Sequence, residues 1–326
     1  MVYIASLAAH DAGRLESTGL RGALLTRRAN LGDCPDAASV LRRLASPRYM
    51  RHPSCVVPLP KRSRGDLSTA ELAVQVARQA LARQAGFDPH SVGALIYVHA
   101  TPDARTTDST AGRLQCDLDL KRACAFSVSQ AHNTAALIAL DMAAGLIEGP
   151  EAADAVLLVA ADKLVFGKAP HAARRMVWSD VAAAAVLSRE AAYGWRIDAI
   201  ELGHFATSFD AGHHWPPDAV DAFAERVAAA LSRCLAQAGT LPDRLAAVLP
   251  VSADPAFVAT VHPLAGLERV AAPLRRQGLR APFVACADPL AGLAACEAQI
   301  APGNPVLTWS HGDNGEFACI VTTRIG

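Results

Sequence analysis

Residues 125–147 read AFSVSQAHNTAALIALDMAAGLI, and residues 282–300 read PFVACADPLAGLAACEAQI. Each stretch begins with a short apolar run typical of a buried strand, passes through a tight turn of small and polar residues, and continues as an alanine-rich helix. A further apolar run follows each of them, at 156–160 and at 306–309. Two copies of one strand–turn–helix–strand unit in the same order predict an internal duplication.

The segments that precede these two units repeat as well. Residues 68–103 open with Ser68 and Glu71, the spacing of a capping box, and then show helical periodicity followed by a short apolar run. Residues 220–254 follow the same plan, a helix closed by Ala-Gly and then an apolar strand. Alternating helices and strands predict an α/β protein with a sandwiched parallel or mixed sheet, and two copies predict a pseudo-two-fold molecule.

Composition excludes several classes of protein. Hydrophobic residues make up 52% of the 326 residues and charged residues 19%, which predicts a sizeable core and disfavours disorder. Basic and acidic residues balance at 31 each, so nothing favours nucleic acid as a partner. The eight cysteines form no CxxC pair, and we expect neither a zinc site nor any other metal.

The apolar stretches are too short for a membrane protein. Asp141, Glu148 and Asp162 interrupt the most apolar ones well before the length of a membrane span. The first residues, MVYIASLAAHDAGRL, lack a charged segment followed by a long apolar core, so we expect no signal peptide. These features predict a cytoplasmic protein whose cysteines stay reduced.

Four strings in a fixed order resemble the ketoacyl synthase III family of the thiolase superfamily. They are ALIYVHATPDARTTDSTAGRLQ at 94–115, the unit at 125–149, VLLVAADKL at 156–164 and WSDVAAAAVL at 178–187. The resemblance covers residues 68–326, and residues 1–67 fit it only loosely. It implies a thiolase-like α/β fold of two duplicated halves, layered α-β-α-β-α, which we divide at 1–190 and 191–326.

The same resemblance implies a catalytic arrangement that this chain has lost. Enzymes of the family use a cysteine that takes an acyl group from a thioester, with a histidine and an asparagine that assist decarboxylation of a malonyl unit. The ungapped match puts His132 at the cysteine position, Val251 at the histidine position and Asp288 at the asparagine position. Valine donates no hydrogen bond and an ionised Asp288 opposes an enolate, so ordinary decarboxylative condensation is not expected.

Two interpretations of His132 are open. An imidazole at a helix N-terminus tends to be neutral and can act as a general base or a nucleophile towards a thioester. Alternatively, it fills a vestigial pocket. The predicted site has His132 and Asp288 as catalytic residues, and as substrate-binding residues Asn133, Ser252, His311 and Gly312.

Each supporting residue has a structural alternative. Asn133 donates to a substrate carbonyl or caps the helix, and Asp288 orients the imidazole or serves a turn or salt bridge. The loop SHGDNGE at 310–316 corresponds to the family's loop near the nucleophile, so His311 lines the pocket or belongs to a surface turn.

These features predict an acyltransferase of secondary metabolism that uses an acyl-CoA or acyl-carrier-protein thioester as substrate, without a bound cofactor. The alternative is a catalytically degenerate subunit that pairs with an active ketosynthase, and a weaker third possibility is a thioester hydrolase. We expect a homodimer in the first case and a heterodimer in the second.

Overall fold

The computed structural model describes residues 1–11, 67–84, 87–100, 109–163, 181–205, 217–251, 255–270, 286–312 and 315–326. Within these ranges lie nine strands: β1 Val2–Asp11, β2 Val92–Val98, β3 Cys124–Val128, β4 Ala155–Asp162, β5 Val181–Ser188, β6 Gly194–His204, β7 Ala247–Val251, β8 Pro305–His311 and β9 Glu316–Ile325. The same ranges hold six α-helices: α1 Thr69–Arg83, α2 Thr110–Asp117, α3 Ala135–Glu148, α4 Pro217–Gln237, α5 Pro255–Leu264 and α6 Asp288–Cys296.

The described strands form one sheet in the order β3-β2-β4-β5-β1-β6-β9-β8-β7. On either side of the antiparallel contact between β1 and β6, four strands follow the same plan, β1-β5-β4-β2 and β6-β9-β8-β7; at the contact Val2, Tyr3 and Ile4 pair with the start of β6. On one side β2 is parallel to β4, and β5 is antiparallel to both β4 and β1. On the other side β7 is parallel to β8, and β9 is antiparallel to both β8 and β6. The predicted duplication is confirmed by this pairing pattern.

The helices form three layers: a central layer between the two halves of the sheet, and an outer layer on the far face of each half. Helices α3 and α6 lie in the middle and share one apolar core with strands of both halves. Helices α1 and α2 cover the outer face of the first half, and α4 and α5 cover that of the second. Strands β4 and β5 are buried along their whole length, which explains their uninterrupted apolar sequences. The predicted α-β-α-β-α layering is therefore confirmed.

Local signals in the sequence fix where α1 begins. The Ser68 side chain accepts a hydrogen bond from the Glu71 backbone N–H, and the Glu71 carboxylate accepts one from the Ser68 backbone N–H, so the capping box is present. Those hydrogen bonds lower the pKa of Glu71, with the bond from the Ser68 backbone as the largest cause.

Among the helices described, none is both long and apolar enough to span a bilayer.

A buried carboxylate ties the two halves together. Asp162, at the end of β4, accepts hydrogen bonds from the backbone N–H of Ala100 at 2.7 Å and of Cys286 at 2.6 Å. The Cys286 thiol in turn donates to the Val98 carbonyl at 3.3 Å. Burial raises the pKa of Cys286 well above its ordinary value, with the Asp162 charge adding to the effect, so the thiol stays neutral. The brace sets the start of α6 against the ends of β2 and β4. The division between residues 190 and 191 falls in the connection between β5 and β6.

Candidate active site

A sharply turned backbone precedes helix α3. The chain leaves β3, passes through a 3-10 helix at His132–Thr134, and enters α3 at once. Gln130 and His132 have φ angles of 73° and 43°, in the left-handed region that residues other than glycine rarely adopt. Such a residue typically costs about 1–3 kcal/mol and persists only where the surrounding structure enforces it. The Thr134 hydroxyl contributes here by donating to the Ala131 carbonyl at 2.6 Å.

The side chain of His132 stands at the surface of this elbow, and 37% of it is exposed. Its Nδ1 atom lies 3.9 Å from Oε1 of Glu316, whose side chain is only 12% exposed. The distance is within the range of an ion pair and longer than a hydrogen bond. A half-exposed imidazole with a buried carboxylate behind it is a geometry suited to proton transfer.

Glu316 is held by the hairpin that joins β8 to β9. It is the first residue of β9, and its carbonyl accepts a hydrogen bond from the Gly312 backbone N–H at 2.8 Å. Its carboxylate lies directly over Gly312: a Cβ atom at position 312 would stand 2.0 Å from Oε1 of Glu316. Only a glycine at 312 therefore leaves room for this placement of the carboxylate.

Two further polar side chains are buried beside the elbow. Asn133 lies within the 3-10 helix, which contacts strand β8, and Ser310 lies near the end of that strand. Within the described part of the chain, Asn133 Oδ1 and Ser310 Oγ have no hydrogen-bond partner. Thr134 is the N-cap residue of α3, and no described side chain caps this helix. The capping alternative for Asn133 is therefore not observed, and its buried Oδ1 is an acceptor that a donor on a bound group could meet, while donation from Nδ2 to a substrate carbonyl stays a prediction.

The remaining predicted residues fall in different places. Asp288 is buried as the first residue of α6, directly after Ala287. His311 is buried with its ring 4.7 Å from that of Phe257 and edge-on to Phe223, on the face of the sheet that α4 and α5 cover. Val251, at the family's histidine position, is buried at the end of β7. Ser252 lies outside the described residues.

Glu316 was not among the residues predicted from the sequence. The residue closes the loop string SHGDNGE, in which His311 and Gly312 were the predicted site residues. A signal was present, since an acidic residue directly after a glycine turn opens an apolar strand, where a charge has to find a partner.

Comparisons with known proteins place the whole chain in one fold. No protein-family model and no curated protein matches it. Solved structures do. The acyltransferase ChlB3 has a TM-score of 0.73 at 19% identity, with 99% of this chain and 98% of that one covered. A variant of OleA from Xanthomonas campestris has a TM-score of 0.73 at 16% identity with the same coverage. The 3-oxoacyl-(acyl carrier protein) synthase III of Pseudomonas aeruginosa PAO1 has 0.69 at 22%, again over 99% and 98%.

The chain has the thiolase-like fold of these structures. The fold predicted from four short strings is thereby confirmed over nearly the full length of the chain. Identities of 16–22% make this a likeness of ketoacyl synthase III structure, and function has to be argued from the site itself.

Proposed function

We propose that this chain is an acyltransferase of the ketoacyl synthase III type, which takes an acyl group from a coenzyme A or acyl-carrier-protein thioester, in secondary metabolism. The observation that carries the proposal is the left-handed, half-exposed His132 at the elbow before α3. Strain of this kind, combined with a titratable side chain, is a recurrent property of reactive residues. The structural neighbour ChlB3 is named as an acyltransferase, which agrees with chemistry on acyl groups.

His132 stands at the position matched to the family's cysteine nucleophile, but in the proposed reaction it acts as a base on the acceptor instead of attacking the thioester. In the proposed step its free ring nitrogen removes the proton from an alcohol or amine, which attacks the thioester carbonyl. The tetrahedral intermediate collapses with cleavage of the C–S bond, and the thiolate leaves with the proton from the imidazolium. The products are the ester or amide and the free thiol. Helix α3 is 14 residues long, and its N-terminus supplies a partial positive charge that favours the oxyanion.

Carbon–carbon condensation with loss of CO2 is not the proposed reaction. That reaction needs donors to a thioester carbonyl where an enolate forms, and the matched positions hold the apolar Val251 and the acidic Asp288. Loss of one such donor typically lowers the rate by about a hundred- to a thousandfold. Transfer to a heteroatom acceptor forms no enolate and needs neither residue for that purpose.

The alternative is a degenerate subunit that pairs with an active ketosynthase. The buried Val251 favours it, because an apolar side chain at a catalytic position is consistent with lost chemistry. An intact ketosynthase III encoded beside this gene, together with heterodimer formation, would favour this alternative, whereas a stable homodimer would favour the enzyme.

In the experiment that tests this proposal, the purified protein is incubated with a panel of acyl-CoA and acyl-carrier thioesters, with and without alcohol and amine acceptors. It records free thiol release and intact protein mass for the wild type and for His132→Ala. The matched control is His90→Ala, since His90 is an exposed histidine in the 3-10 helix Pro89–Ser91.

Acceptor-dependent thiol release is expected in the wild type and in His90→Ala, with a loss of about a thousandfold or more in His132→Ala. No acyl adduct should accumulate, whereas an adduct that His132→Ala removes would indicate a covalent acyl-imidazole route. Full activity in His132→Ala would defeat the proposal, and silence of the wild type across the panel would favour the degenerate subunit.

A further inference from the structure

We propose that Glu316 is the positioning residue for His132 and that Gly312 exists to make room for it. The inference rests on the proposed function in one respect, the use of His132 as the base. It adds Glu316, in the β8–β9 hairpin, as a carboxylate partner of His132. The sequence had indicated Asp288 for such a role.

The geometry gives Glu316 access to one ring nitrogen of His132. Its Oε1 atom lies 3.9 Å from Nδ1 of His132, and the backbone of Glu316 is anchored by the hydrogen bond from the Gly312 N–H. A movement of about 1 Å would convert this approach into a hydrogen bond, and such contacts are often long before substrate binds. The carboxylate is mostly buried while the imidazole is half exposed, so the open side of the ring is left to the substrate.

This contact determines which nitrogen can act as the base. A carboxylate facing Nδ1 favours the tautomer that carries its proton there, so that Nε2 keeps the lone pair. When Nε2 has taken the proton of the acceptor, the nearby negative charge stabilises the imidazolium until the leaving thiolate removes the proton. Glu316 itself neither gains nor loses a proton in this cycle.

Gly312 adds an independent geometric observation. A methyl group at position 312 would stand 2.0 Å from Oε1 and 2.3 Å from Cδ of Glu316. Since these atoms form the end of a flexible side chain, Gly312→Ala should displace the carboxylate rather than the backbone. Gly145 offers the matched control, since a Cβ atom there would meet no atom within 4 Å.

The test measures kcat and KM for thiol release in Glu316→Gln, Glu316→Asp, Gly312→Ala and Gly145→Ala, with urea unfolding as a check on the fold. Glu316→Gln is expected to lower kcat about a hundredfold with little change in KM, because the charge that stabilises the imidazolium is lost. Glu316→Asp should recover part of that loss. Gly312→Ala should lower kcat about tenfold or more, and Gly145→Ala should match the wild type.

A double variant separates displacement of Glu316 from damage to the hairpin. If Gly312→Ala acts through Glu316, it adds little to Glu316→Gln, since the carboxylate is already lost. Additive losses would overturn the role assigned to Gly312. Wild-type kcat in Glu316→Gln, while His132→Ala is inactive, would overturn the inference and leave the proposed function standing. Wild-type activity in His132→Ala would instead remove the proposed function itself.

Discussion

The two halves of this chain contain the same strand–helix plan, and the residue directly before each central helix has an ordinary helical backbone: Thr134 has φ −85° and ψ −14°, and Ala287 has φ −77° and ψ −13°. Before α3 the chain passes through Gln130 and His132, both left-handed, and forms an extra 3-10 turn. In the second half the structure describes Cys286 and Ala287 before α6, and neither of these two residues has a positive φ. The duplication has kept the packing of both units, and the left-handed residues described before a central helix lie in the first copy, where His132 is partly exposed, whereas Asp288 at the start of α6 is buried.

This difference explains why fold and chemistry can diverge within one architecture. Helices α3 and α6 share a single apolar core, so their packing is determined by the fold as a whole. The elbow at His132 is a local feature whose side chain can change without repacking that core. A catalytic residue can therefore be exchanged while the duplicated scaffold persists.

The largest expected effect comes from breaking the brace between the two units. Asp162→Asn keeps one acceptor but sets an amide N–H₂ against a backbone N–H, either that of Ala100 or that of Cys286. An unsatisfied buried donor should lower the free energy of unfolding by about 2–4 kcal/mol. Urea unfolding measures it, with the exposed Asp141→Asn on α3 as the control. Equal stability of the two variants would show that the brace contributes nothing.

Glycine substitutions at His132 and at Ala287 sharpen the contrast between a left-handed residue and an ordinary helical one. At His132, with φ 43°, His132→Gly should be about 1 kcal/mol more stable than His132→Ala, because glycine adopts the left-handed region freely. At Ala287, Ala287→Gly should lower stability by about 1 kcal/mol through backbone entropy and a lost buried methyl group. Thermal or urea unfolding of the three variants checks this. If glycine, compared with alanine, changes the free energy of unfolding in the same direction at both positions, the strain assigned to His132 is contradicted.

The smallest effect is a pH dependence confined to the second half. Burial lowers the pKa of His262, whose Nε2 accepts a hydrogen bond from Trp309 Nε1 at 3.4 Å. Its neutral form stabilises the fold fully above the unfolded pKa of about 6.5, and that contribution is lost as the pH falls towards the lower folded value. Because the ring keeps some contact with water, the loss should be under about 1 kcal/mol.

The measurement is urea unfolding of the wild type and His262→Gln between pH 5 and pH 8. The stability advantage of the wild type should shrink as the pH falls. A constant difference across that range would show that protonation of His262 does not couple to folding.

Most of the fold could be predicted from the sequence because it depends on repeated, periodic signals. The capping box at Ser68, the apolar run of β4 and the two alanine-rich helices are local patterns with direct physical causes. The position of His132 at an elbow also followed, by resemblance. Glu316 could not be found in this way, because its approach to His132 spans 184 residues and depends on the twist of a hairpin. The packing of His311 against Phe257 depends equally on which face of β8 it occupies.

The most direct test of the central claim is chemical rescue at the elbow. His132→Gly removes the imidazole and relaxes the backbone, so the fold should remain intact while thiol release from acyl thioesters is lost. Added imidazole should then restore part of the acceptor-dependent release in His132→Gly and have no such effect on the wild type. Thiol release by His132→Gly at the wild-type rate, without imidazole, would contradict the account, because the reaction would then proceed without the residue on which it depends.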